Sequence, residues 1–432
     1  MPPLAGGVAM SLNRVNTREN PMSRGSIHLR YRTRRSPRVA IAAFAAVALV
    51  ATACGADNGD ADVAEPDEEP ADTEAETDTD DGEAAAVGET IEADPITLSY
   101  ASFVTDQNPH SVVWETWMEQ VTERTDGAVT FETYYGEALC AAPEIASCTT
   151  DGRVDIGFTT ATYTPADFPA ATIANVPFQT SNLQANVDAL NELYAGSPME
   201  QEFEGLNQQL LYFGPVGLPV LASTQPVETL DDLSGMSIRG VGDLGDAFEA
   251  LGINPVAIAP AEQYESLQRG VLDGAAFTID GHADFRHFEV ADYWYDLGEY
   301  TGSYAAMHTA INLDVWNSLS PELQDLMDEV SADVADSITT DVFVPLDERD
   351  CGIVVEEGAE HFGPLEPAEE AQAWADEWGD RLLEQWISNA TDAGVDDPET
   401  LADDYRELLD EYEAANPDFR GAGEICIEIF ES

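Results

Sequence analysis

Gly235-Met236-Ser237-Ile238-Arg239-Gly240-Val241 is followed closely by Glu262-Gln263-Tyr264-Glu265-Ser266-Leu267-Gln268-Arg269-Gly270-Val271-Leu272-Asp273-Gly274. The reading of these two stretches decides the fold. Residues 236–239 form a short strand after the turn 229–235. A helix over 244–251, a strand over 255–258, a helix over 260–269 and a strand over 274–278 follow. Strands alternating with helices of this length build a parallel sheet covered by helices. Arg239 stands at the end of the first of these strands.

That arginine matters because cations are scarce. The chain has no lysine, and eight of its seventeen arginines precede residue 54. Nine arginines then face 83 Asp and Glu residues. An envelope this acidic repels anions through its overall field and excludes nucleic acid as a partner. It also suggests a saline habitat, where counterions screen the repulsion. If the protein binds an anionic solute, Arg239 is the best-placed side chain to pair with it.

The same pattern extends toward the N-terminus. Residues 96–101 alternate as a strand, Asn108-Pro109-His110-Ser111 opens a helix that stops at Thr125-Asp126-Gly127, and 128–134 is the next strand. A third strand lies at 154–158, helices at 186–194 and 200–209, and strands at 210–214 and 219–223. Two α/β lobes are expected, 96–222 and 223–312, completed by a helical segment over 313–432. In that segment Ser320-Pro321-Glu322 is a helix start. Trp374, Trp378, Leu382 and Trp386 recur every four residues, which is core spacing on a helix rather than a ligand cage.

Ahead of the lobes stand Arg30, Arg32, Arg34, Arg35 and Arg38, then the apolar run 39–53, then Cys54. A basic stretch, a short apolar core and small residues make a secretory signal over 1–53, with Met22 a candidate start. Fifteen apolar residues are few for a spanning helix, which needs about 20. Ala51-Thr52-Ala53-Cys54 resembles a bacterial lipobox, so Cys54 is the expected lipidation site; simple cleavage near Ala53 is the alternative. Residues 55–95 hold seventeen acidic residues and no basic or aromatic one. Such a segment is expected to be a disordered, extended tether. The expected location is extracytoplasmic, on the outer face of the cell membrane.

Four cysteines follow Cys54. Cys140 and Cys148 are close enough to close a small loop, which leaves Cys351 with Cys426; four free thiols are the alternative. Paired Cys-x-x-Cys spacing is absent, so a zinc site is not expected. Asp280-Gly281-His282-Ala283-Asp284-Phe285-Arg286-His287 looks metal-like, but histidines five apart share a helix face poorly. Glu262 and Tyr264 could act as acid and base, yet the sequence offers no nucleophile with a partner and no Gly-x-Ser-x-Gly, His-Glu-x-x-His or phosphate-loop motif. No enzyme, metal or cofactor is expected.

In order and spacing, these elements resemble the solute-binding proteins of tripartite ATP-independent periplasmic (TRAP) transporters, DctP type. The resemblance covers roughly residues 96–345. It is carried by Glu123-Arg124-Thr125-Asp126-Gly127, Gly136-Glu137-Ala138-Leu139, Gly152-Arg153-Val154-Asp155-Ile156-Gly157 and Val176-Pro177-Phe178. Pro226-Val227, Leu230-Asp231-Asp232-Leu233-Ser234-Gly235, Ile238-Arg239 and the Glu262–Gly274 run complete it. The resemblance implies a bilobal Venus-flytrap fold with crossing hinge strands and a long lobe-spanning helix. It also implies capture of an organic acid and its delivery to a membrane permease driven by an ion gradient. An ABC-type binding lipoprotein and a carboxylate sensor domain are the alternatives.

The family's arginine at this strand end grips a solute carboxylate, and Arg239 matches it. Independently, a guanidinium presents a planar fork suited to carboxylates. The chain departs from the family in two places. Ala276-Phe277 stands near where many members have an asparagine, and Leu218 to Ser223 lacks a second arginine. The expected site therefore holds one carboxylate by charge and the rest of the solute by apolar contact. Phe277, Phe178 and Tyr163 are candidate walls, and Glu262 and Tyr264 of the motif are further candidate contacts.

Overall fold

The computed structural model describes residues 89–432. The expectations for the signal segment, for Cys54 and for most of the tether lie outside these residues. The tether's last part differs from the expectation. Residues 89–95 lie against the first helix: the Ile91 N–H donates to the Arg124 carbonyl (2.8 Å), Arg124 Nε donates to the Glu89 carbonyl (3.3 Å), and Ile91 and Ala93 pack on the core. Two apolar side chains and an unused helix-end carbonyl suffice to dock this short piece.

Among the described residues eleven strands run in chain order: β1 (Ile96–Ser102), β2 (Val129–Tyr134), β3 (Ile156–Thr159), β4 (Gln208–Pro215), β5 (Pro219–Ser223), β6 (Ser237–Arg239), β7 (Asn254–Val256), β8 (Gly274–Thr278), β9 (Tyr293–Asp296), β10 (Ala306–Asn312) and β11 (His361–Pro364). The helices are α1 (Pro109–Arg124), α2 (Ile145–Thr150), α3 (Leu183–Tyr194), α4 (Pro198–Gly205), α5 (Gly242–Ala250), α6 (Pro260–Gln268), α7 (Ile279–Asp284), α8 (Gly298–Thr301), α9 (Leu313–Ser318), α10 (Pro321–Ser337), α11 (Val344–Glu357), α12 (Ala368–Ala393), α13 (Pro398–Ala415) and α14 (Ala422–Glu431). None of the described helices is long and apolar enough to cross a membrane.

The strands form two sheets, ordered β2-β1-β3-β10-β4 and β11-β9-β5-β8-β6-β7. β1 pairs in parallel with β2 and β3, whereas β10 is antiparallel to β3 and β4. In the second sheet β6 runs parallel to β7 and β8, and β5 is antiparallel to β8 and β9. The result is the bilobal fold expected.

The lobe boundaries need correction. β5 belongs to the second sheet, although the sequence places 219–223 almost wholly in the first lobe. β10 belongs to the first sheet, although 306–312 falls in the second lobe by sequence. The chain therefore crosses between β4 and β5, through Val216, Gly217 and Leu218, and crosses back before β10. Alternation shows that a segment is a strand; it carries no sign of which sheet an antiparallel strand joins.

The third passage is helical. Ser320 caps α10, its hydroxyl accepting from the Leu323 N–H (3.2 Å), and Pro321 occupies the first turn. Leu323, Leu326, Met327, Val330 and Val334 face the first lobe's core. The helix continues through a π-turn over Ile338–Phe343 into α11. α11 then packs on α7 and α14 in the second lobe, and Cys351 is bonded to Cys426 of α14. The other pair, Cys140–Cys148, closes a loop of the first lobe. In α12, Trp374, Leu382 and Trp386 are buried, while Trp378 is half-buried beneath Arg381, 4.4 Å from ring centroid to guanidinium carbon.

The deciding stretch owes its geometry to Asp273. Its N–H donates to the Ser237 carbonyl (2.8 Å), and its carboxylate accepts from the Ser237 N–H (2.8 Å). This clamp sets the parallel register Ile238 to Gly274 and Arg239 to Ala275. Gly274 is required there, because a Cβ would lie 2.9 Å from the Ala222 carbonyl of β5.

Candidate functional site

Arg239 ends β6, and register places it on the same sheet face as Ala275 and, two residues on, Phe277. It is only 6% exposed. Nη1 donates to the Ala276 carbonyl (3.0 Å), and the guanidinium carbon lies 4.7 Å from the Phe277 ring centroid. Nε is buried with no partner. One edge of the fork is thus held by backbone, and the edge bearing Nε is left for another acceptor.

Burial lowers the affinity of Arg239 for its proton, while the neighbouring Tyr304 and Tyr163 hydroxyls offset this in part. Arginine's ordinary value is so high that the side chain stays charged at neutral pH. Burial raises both phenols and the Arg239 charge opposes it, so each remains a protonated donor.

The Phe277 ring is seated by what Gly281 lacks. A Cβ at Gly281 would lie 2.1 Å from that ring. The opposite wall comes from the first lobe. Thr160 follows β3, and its hydroxyl accepts from the Thr162 N–H (3.3 Å), shaping the turn that presents Tyr163. Tyr163 is 42% exposed. It meets Phe103 edge-on (5.4 Å), and Phe103 stacks on Phe158 (5.7 Å). Arg239 and Tyr163 thus stand at or just beyond the C-terminal ends of parallel strands from different sheets, where open α/β folds bind ligands.

Of the expected contacts, Arg239, Phe277 and Tyr163 share this neighbourhood. Phe178 packs edge-on against Trp374 (5.1 Å), with its backbone against Gly379 of α12. The Glu262 carboxylate accepts from the Ala259 N–H (3.3 Å), capping its own helix. The Tyr264 hydroxyl donates to Glu289 (2.9 Å). These three make their contacts elsewhere. Tyr304 and Phe103 were not singled out from sequence. Phe103 was discoverable, as it directly follows a parallel strand; Tyr304 leads into a crossing strand and has no local motif.

The metal-like histidines face each other, His282 Nδ1 to His287 Nδ1 at 2.8 Å. Among the described residues no group of three or more His, Cys, Asp or Glu side chains is arranged to hold a metal ion.

The profile of the bacterial extracellular solute-binding proteins, family 7 (DctP), matches residues 100–381. The chain belongs to this family. A solute-binding protein of Chromohalobacter salexigens is 28% identical over 199 residues, covering 44% of this chain and 57% of that protein. The match thus spans little more than half the length of that relative. The C4-dicarboxylate-binding periplasmic protein DctP of Rhodobacter capsulatus is 23% identical over 65% of this chain and 84% of its own. Among solved structures, a TRAP periplasmic solute-binding protein of Desulfovibrio salexigens is 25% identical with a TM-score of 0.66, covering 75% of this DctP-family chain and 98% of its own. A TRAP solute-binding protein of Rhodoferax ferrireducens, in complex with copurified benzoate, aligns at TM-score 0.64 and 22% identity, over 74% of this chain and 99% of its own.

Proposed function

We propose that this protein is the extracytoplasmic receptor of a TRAP transporter. It captures an organic acid between its lobes and delivers it to the membrane permease, without catalysing a reaction on it. One observation carries the reading. Of the nine arginines beyond residue 54, seven lie within 4.0 Å of a carboxylate: Arg124, Arg153, Arg269, Arg286, Arg349, Arg406 and Arg420. Arg381 is exposed and stacks on Trp378. Arg239 is buried and has no carboxylate partner among the described residues, in a chain with 84 acidic residues. A buried, unpaired charge is costly, and a carboxylate arriving from outside removes that cost.

The same inventory supports a narrower solute class. With one cation in the cleft and aromatic rings about it, a monocarboxylic acid with an apolar body fits better than a dicarboxylate, whose second charge would meet an acidic envelope. The lipobox at Cys54 and the acidic segment after it would hold the receptor to the outer face of the membrane.

Calorimetric titration with benzoate and with succinate tests this. Benzoate is expected to bind the wild type and lose about 2–5 kcal/mol in Arg239→Ala, the cost of removing one partner of a buried charge pair. Equal binding by the variant, or preference for succinate, would contradict it.

A further inference from the structure

The buried histidine pair beside Phe277 has a fixed direction. His282 Nε2 lies 2.9 Å from the Val220 carbonyl, which can only accept. Nε2 therefore carries the proton, and in a neutral ring Nδ1 is a lone pair. His287 Nδ1, 2.8 Å away, must then be the donor. That leaves His287 Nε2 as a lone pair, and this atom is buried with no partner. Both rings are 0% exposed. Burial holds His282 well below the usual imidazole range and lowers His287 to about 4, with the Arg239 charge contributing to both. At neutral pH the pair is uncharged and the assignment stands.

A second orphan shares this sheet face. Gln263 is 0% exposed, and neither its amide oxygen nor its nitrogen has a partner. It lies one turn before Leu267, which packs with Ala275 of β8. Ala275 is the register partner of Arg239, whose Nε is likewise unpartnered. Buried polar groups are nearly always satisfied, and each exception calls for an explanation.

We propose that His287 is a specificity-determining residue of the cleft, its Nε2 accepting a hydrogen bond from a hydroxyl on the body of the acid held by Arg239. This rests on the carboxylate reading above and names a narrower class, the hydroxylated monocarboxylic acids. The Phe277 ring borders both groups, 4.7 Å from the Arg239 guanidinium carbon and 6.5 Å from the His287 ring. A ligand lying against the guanidinium and this ring is bordered by the same ring that borders His287. The anchored acceptor selects a donor. A keto oxygen would set lone pair against lone pair, and an ammonium would meet the Arg239 charge, so a hydroxyl satisfies both constraints.

The test is a calorimetric comparison on the full chain in detergent. One matched series is mandelate, phenylglyoxylate and phenylacetate; the other is the 3- and 4-hydroxybenzoates with benzoate. At least one hydroxy acid is expected to bind about tenfold tighter than its counterparts without the hydroxyl, the worth of one buried hydrogen bond. That gap should close in His287→Phe and persist in His287→Gln, which keeps an acceptor. Nitrogen-15 spectra of histidine-labelled wild type check the same point without a variant: the hydroxy acid should shift the His287 Nε2 resonance and its deoxy counterpart should not. Equal binding across both series, or a gap that survives in His287→Phe, overturns the proposal while leaving Arg239-dependent acid binding in place. Acid binding that is absent, or indifferent to Arg239→Ala, overturns both.

Discussion

Arg239 lies 4.7 Å from the Phe277 ring centroid and donates to the carbonyl of Ala276, the residue immediately before that ring. Two consecutive residues of β8 thus hold one face and one edge of the guanidinium. The orientation is fixed before any solute arrives, which lowers the ordering cost of binding.

Gly281 supports that arrangement by having no side chain. In Gly281→Ala the new Cβ, 2.1 Å from the Phe277 ring, must push the ring away. We expect a loss of about 1–3 kcal/mol in stability, typical of overpacking, and weaker acid binding. Thermal melts with and without the acid check both; an unchanged dissociation constant would show that the Phe277 position is immaterial.

Asp296 links stability to pH. Burial raises its carboxyl to about 7, although backbone donors near α8 favour the charged form. A raised folded value means the folded state binds the proton more tightly than the unfolded chain. Stability from this group is therefore fully present below about pH 4, the ordinary carboxyl range, and lost as pH rises through about 7. Asp296→Asn should melt higher than wild type at pH 8, with the advantage shrinking toward pH 4. A gain that is independent of pH would contradict the assignment.

The two disulfides should differ in worth. Cys351–Cys426 spans 75 residues and Cys140–Cys148 spans 8. Loop-closure entropy assigns the first about 4–5 kcal/mol and the second about 2–3 kcal/mol. Denaturant melts of the two double Cys→Ser variants should rank in that order; the reverse order would show that the long link is not constraining the unfolded chain.

Local chemistry made much of this fold legible. Pro260 and Asp273-Gly274 punctuate the chain, so α6 and β8 emerge within a residue of their observed bounds. The helix expected over 200–209 runs too far in the sequence reading. Asn207 turns back at φ 56°, and Gln208 opens β4 with its amide donating to the Ala146 carbonyl (2.9 Å). A buried strand opened by two glutamines has no apolar pattern to announce it. In the cleft, Arg239 ends β6, Phe277 is next to last in β8 and Tyr163 follows β3, so all three could be found. Glu262 and Tyr264 share a motif with Arg239, but α6 turns Gln263 and Leu267 inward and leaves Glu262 exposed. Motif membership does not report helix phase. Tyr304 depends on how β10 returns to the first sheet, which is tertiary information.

The most direct test of the central claim is calorimetric titration of a monocarboxylic acid into wild type and Arg239→Ala side by side. Saturable binding to the wild type that falls by about 2–5 kcal/mol in the variant, about 30-fold or more, is the predicted result. Equal affinity in both proteins would show that Arg239, buried without an acidic partner among the described residues, is not what holds the solute.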